Sequence, residues 1–239
     1  MKNSRHILKL TVFSMLVALG VVISPILRVE GMCPMAHFIN IVCSVFLGPW
    51  YSLLCATWIG IIRMSIMGIP PLALTGACFG AFLSGIGYRL SKGKLLCAVM
   101  GEIIGTGIIG AIASYPVMAF LWEKEGISWL FYIPSFLCGT LIGGSIAYVF
   151  LRKLTSNGML AKIQKSLGSP CYADRATTLS DALSLAGLGA ILFVCLELIR
   201  TLFQLSGTLW QLLPRAALGG CVVAAVVFYF TGKARGTHV

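Results

Sequence analysis

The chain has 239 residues, 58% of them hydrophobic and 10% charged, with a mean hydropathy of +0.95 and a formal net charge of +11. A soluble domain carries about 25% charged residues, and one soluble core cannot enclose this much apolar surface, so lipid must cover much of it. The positive charge does not point to nucleic acid, because the basic residues fall in short clusters between long apolar runs, a pattern that orients a membrane protein.

Apolar runs approaching the ~20 residues that cross ~30 Å of hydrocarbon occupy residues 7–27, 50–67, 69–90, 95–121, 127–151, 182–203 and 213–230. Another, Met35 to Gly48, is shorter and closes on Gly48-Pro49, a pair that ends one helix and starts the next. Charge parity decides whether it crosses. With the N-terminus inside and all eight runs spanning, thirteen of the eighteen Lys and Arg residues fall on the cytoplasmic side, in clusters around Lys2–Lys9, Arg89–Lys94, Arg152–Arg175 and Lys233–Arg235. Only Arg28, Lys124, Arg200 and Arg215 fall outside, and Arg63 lies within a span. Without the short run, both middle clusters would move outside, against the positive-inside rule. The expectation is therefore an all-α, multi-pass protein of the cell membrane with both termini cytoplasmic.

The first run is too long for a signal peptide and lacks a small-residue cleavage site before Pro25, so it reads as a retained helix. Three regions follow: a six-helix membrane unit at 1–151, a basic cytoplasmic linker at 152–181, and a two-helix transmembrane extension at 182–239. Within the linker, Met159, Leu160, Ile163 and Leu167 have helical spacing beside Lys162 and Lys165, which fits either a helix on the inner membrane surface or a plain linker. Glycines recur four apart at Gly76/Gly80, Gly101/Gly105 and Gly139/Gly143. That spacing lets helices approach closely in lipid, here most simply within one chain.

Catalytic and metal chemistry is sparse. The nine cysteines include no Cys-x-x-Cys pair and seven lie inside apolar runs, where they read as small buried residues. Cys33 and His37, four apart, are a weak metal signal with few other ligands available, and neither a resident metal nor a cofactor is expected. There is no His-Glu-x-x-His motif, and no nucleophile with a paired base, so an enzyme is not expected. Gly93-Lys94 lacks the upstream glycine and following hydroxyl of a phosphate loop. Energy for uphill transport would have to come from partners or an ion gradient.

Polar groups inside spans are costly in lipid and are the candidates for function. His37 and Asn40 share a face of the second helix, Arg63 lies about 20 Å along the third, and Thr75 and Tyr115 are expected at the same outer level. Trp129 and Tyr132 read as interfacial anchors at the start of the sixth helix. Glu102, early in the fifth helix, is expected near the inner face and too far away to join this cluster. Glu197 and Arg200, three apart, are expected to neutralise each other.

The runs Ser14-Met15-Leu16-Val17-Ala18-Leu19-Gly20, His37-Phe38-Ile39-Asn40 with Gly48-Pro49-Trp50-Tyr51, Arg63, Gly80-Ala81, and Gly101-Glu102-Ile103-Ile104-Gly105-Thr106-Gly107 through Tyr115-Pro116 resemble the ThiW family. Its members are substrate-binding S components of energy-coupling factor (ECF) transporters, assigned to the thiazole precursor of thiamine. The resemblance spans residues 9–151 and implies a six-helix fold with a pocket near the outer face. It also implies a transmembrane coupling protein and two ATPases as partners, which fits the missing phosphate loop. His37, Asn40, Arg63, Thr75 and Tyr115, the groups expected to converge at the outer level, are the candidate substrate-binding residues. A small-residue pair on the first helix, matched here by Ser14 and Ala18, would contact the coupling protein. The chain departs from the family's pattern at Arg63-Met64 and at Ala73-Leu74-Thr75-Gly76-Ala77, and residues after 181 have no counterpart in the six-helix unit. A self-sufficient carrier or channel is the competing reading.

Overall fold

A computed structural model describes residues 2–26, 28, 32–172, 178–202 and 204–236. Arg175 of the basic linker and the last three residues, 237–239, lie outside the described residues. Each of the eight apolar runs contains a helix. The chain divides into two units, Met1–Ala173 and Asp174–Val239.

The first unit contains α1 (Lys2–Ile23), α2 (Pro34–Leu47), α3 (Pro49–Met67), α4 (Leu72–Leu90), α5 (Leu95–Leu121), α6 (Ile133–Ser156) and the short α7 (Met159–Leu167). The second contains α8 (Thr178–Leu202) and α9 (Thr208–Gly236). Among the described residues, α1, α3, α5, α6 and α9 are both long and apolar enough to cross a membrane. The 19-residue α4 has the length, but its glycines 76, 80, 85 and 87 and Arg89 make it less apolar.

The short helix is the centre of the first unit. α2 has 14 residues, about 21 Å at the helical rise, and 12 of them are buried because α1, α3, α4, α5, α6 and α7 all pack on it. Its ends are fixed by residue chemistry. Pro34 occupies the first turn, where its missing N–H costs nothing, and Pro49 does the same for α3. Between them Gly48 turns the chain at φ +95°, and a Cβ there would also run into the Arg89 guanidinium.

α5 is the most enclosed span, with 56% of its apolar window buried against 17% for α1. It packs on α4 through glycines on both helices: a Cβ at Gly105 would lie 2.5 Å from the Gly80 Cα, and one at Gly110 would lie 2.4 Å from the Gly76 carbonyl oxygen. Gly143 brings α6 equally close to the start of α2. The spaced glycines thus serve packing inside the first unit. α5 widens to π-helix at Ile103–Gly110 and again at Val117–Leu121, directly after Pro116, whose ring cannot donate to the helical ladder.

Two expectations need correction. Trp129 and Tyr132 precede α6 rather than opening it; the helix starts at Ile133, with Pro134 in its first turn, where a missing N–H costs nothing. Tyr132 is only 1% exposed and is a core residue, not an interfacial anchor, whereas Trp129 is exposed. In the linker the helical alternative is the one formed, but α7 packs on protein through buried Leu160, Gln164 and Leu167, while Met159 is exposed.

In the second unit α8 and α9 are packed together, and a Cβ at Gly189 would lie 2.5 Å from that of Cys221. Glu197 and Arg200 pair as expected, with Arg200 Nη2 donating to Glu197 Oε1 at 3.2 Å.

Candidate functional site

The first unit holds a cavity of about 410 Å³. α2 contributes Ala36 and His37, α3 contributes Arg63, and the α3–α4 connection with the start of α4 contributes Ile69, Pro70 and Leu72. Thr106 of α5 and Phe136 of α6 close the sides. Arg28, Met32 and Cys33 line it from the α1–α2 connection. The Cys33 thiol donates to the Ser24 carbonyl oxygen at 3.0 Å, which ties that connection to the end of α1. Gly76 leaves room for the Phe136 ring, whose nearest atom would be 2.4 Å from a Cβ there.

Arg63 in the lining is 3% exposed, with its Nε without a hydrogen-bond partner. His37, also in the lining, is held by a buried carboxylate. Its Nδ1 lies 2.9 Å from Glu102 Oε1, and the same oxygen accepts from Asn40 Nδ2 at 3.1 Å and Thr106 Oγ1 at 3.1 Å. Because that oxygen accepts, Nδ1 carries the proton, and the ring is fixed in one orientation. Gly139 of α6 passes the other nitrogen: a Cβ there would be 3.3 Å from His37 Nε2. The second carboxylate oxygen, Oε2, is buried without a hydrogen-bond partner and faces Gly80, where a Cβ would stand 2.9 Å from it and 1.9 Å from Thr106 Oγ1. Four side chains from α2 and α5 therefore form one buried polar cluster, with a glycine of α4 making the space for it.

The expectation that Glu102 lies too far from His37 and Asn40 is overturned by these contacts. That expectation sets His37 and Asn40 near the outer end of the second helix and Glu102 near the inner end of the fifth, but α2 has only 14 residues. Counted from the end they share, Asn40 precedes Leu47 by seven residues and Glu102 follows Leu95 by seven, both about 10 Å. That the two ends lie together follows from Gly85 and Gly87 of α4, which touch Pro49 and Cys97 respectively.

The other expected site residues are distributed as follows. His37 and Arg63 line the cavity; Asn40 does not, and sits behind His37 on Glu102. Thr75 bonds Ser114 Oγ at 2.8 Å between α4 and α5, and Tyr115 packs on Trp129 with ring centroids 4.4 Å apart. Neither is a lining residue. Ser14 and Ala18 are exposed on α1, on the same side as the exposed Met15 and Leu19, whereas Gly20 turns inward against Ile59 and Ile39. Arg28, Thr106 and Phe136 were not expected at the cavity. Thr106 was within reach of sequence reasoning, since it follows Glu102 by one helical turn; Phe136 carried no distinguishing signal.

An all-helical membrane bundle holding a small cavity lined by apolar walls and a few buried polar groups fits a small-molecule transport protein. The model of the ThiW family, described as thiamine-precursor transporter protein, matches residues 10–157, more than half of the chain. The chain belongs to the ThiW family. No curated protein and no solved structure matches it.

Proposed function

We propose that this ThiW protein is the substrate-capturing S component of an ECF-type importer, taking up the thiazole precursor of thiamine, with a coupling protein and two ATPases as partners. Its orientation would be both termini cytoplasmic, with the cavity near the outer face. The observation that carries the reading is the cavity itself: about 410 Å³, lined by Ile69, Leu72 and Phe136 together with His37 and Arg63. A small heteroaromatic ligand needs an apolar wall and one or two directed hydrogen bonds, and those are present. The chain has no phosphate loop, so ATP hydrolysis falls to partners.

The test is to identify the small molecule that copurifies with the protein and then titrate hydroxyethylthiazole into the stripped chain. Replacing His37 by alanine should weaken binding by about 5- to 150-fold. Undiminished affinity in a folded variant removes that residue from the site. The buried Glu102–His37 pair within a span is also what a self-sufficient, ion-coupled carrier would use. Proteoliposomes holding the chain alone separate the two readings, since ion-driven accumulation without ATPases supports the carrier.

A further inference from the structure

We infer that the ligand enters this cavity as an anion, a phosphate monoester or a carboxylate rather than a neutral alcohol, and that Arg63 receives the anionic group. The inference rests on the reading of the cavity as the substrate site.

A guanidinium stays protonated under all accessible conditions, so burying one without a counter-charge is among the costlier arrangements a membrane protein can hold. Arg63 is 3% exposed, lines the cavity, and has an Nε without a hydrogen-bond partner. Among the described residues no carboxylate lines the cavity, and the exposed Arg28 is a second arginine in the lining. Glu102 does not serve: no hydrogen bond or ion pair joins it to Arg63, and its Oε1 takes His37, Asn40 and Thr106. The cavity is thus electropositive within walls of low polarity, where charge interactions are strong. A hydroxyl would leave the guanidinium uncompensated. A phosphate or carboxylate offers two oxygens in the geometry that the planar fork of arginine matches.

The experiment uses the full chain in detergent, stripped of ligand, with calorimetric titration of five probes. They are hydroxyethyl-methylthiazole, its phosphate monoester, the corresponding thiazole acetic acid, benzyl phosphate and inorganic phosphate. The phosphate ester, the carboxylate or both should bind about 100-fold more tightly than the alcohol, and which of the two does so names the anion. Arg63→Gln should remove most of that advantage while changing affinity for the alcohol by less than about fivefold. Arg63→Lys, which keeps the charge but loses the fork, should fall between and serves if the glutamine variant does not fold.

An alcohol that binds as tightly as both anions overturns the inference and leaves the thiazole reading standing. Binding of benzyl phosphate but of no thiazole compound does the reverse. Inorganic phosphate binding as tightly as the ester marks an adventitious ion only, and the inference falls. Glu30, outside the described residues, supplies the control: Glu30→Gln should leave the preference for anions unchanged, and a preference that arises only in that variant would make Glu30 the counter-charge of Arg63 and overturn the inference.

Discussion

Glu102 is fully buried, and one of its oxygens accepts three donors from two helices. Its removal would leave the buried His37, Asn40 and Thr106 donors without their acceptor, a larger loss than the three bonds are worth on balance. Glu102→Ala should therefore destabilise the first unit by about 3 kcal/mol or more, read as a lowered melting temperature in detergent. It should also weaken ligand binding, because His37 loses the contact that fixes its ring. An unchanged melting temperature would mean that the cluster is not formed. The spacing of His37 and Asn40 was legible in the sequence. Their partner was not, because the depth of Glu102 depends on which end of a 14-residue helix sets the level.

At the scale of elements, α2 and α3 meet at Gly48-Pro49, and this junction creates a need that α7 meets. The Val45 carbonyl would ordinarily accept from the N–H four residues on, but that residue is Pro49. Gln164 of α7 supplies the donor, with Nε2 2.9 Å from the Val45 oxygen and 3.0 Å from the Tyr88 hydroxyl. Gln164→Ala should cost about 1–3 kcal/mol of stability and expose the linker to proteolysis, with ligand affinity little changed. Loss of affinity without loss of stability would instead make α7 part of the binding mechanism. The sequence showed α7 as one of two alternatives. It could not show the docking face, because Gln164, not Met159, is the residue turned inward. On α1 the exposed Ser14 and Ala18 form a shallow strip beside Met15 and Leu19. If a coupling protein docks there, Ala18→Trp should leave ligand affinity of the isolated chain unchanged and abolish copurification with that partner. Loss of both, or of neither, counts against the strip.

For the whole molecule, the residues that line the cavity all belong to the first unit, Met1–Ala173. α8 and α9 carry their own ion pair, Glu197 with Arg200, and pack on each other. A chain ending at residue 173 should therefore keep its affinity for the ligand within about threefold, measured by the same titration. A larger loss would assign the second unit a part in binding. Retention, with loss of uptake in cells, would place its role in a later step of transport.

The sequence by itself determined the membrane class, the helical runs and the ThiW family. Each of these rests on local properties: apolar runs long enough for a bilayer, prolines at helix starts, and short motifs such as His37-x-x-Asn40 with Gly48-Pro49. Only the tertiary structure decided that Glu102 joins His37, that Thr75 bonds Ser114 and Tyr115 packs on Trp129, and that Arg63 lines the cavity with its Nε unpartnered. Periodicity fixes the face of a helix on which a residue lies, but not its height against a neighbour. Here that height is set by the short α2 and by glycines such as Gly80 and Gly105, whose missing side chains let the helices close to contact.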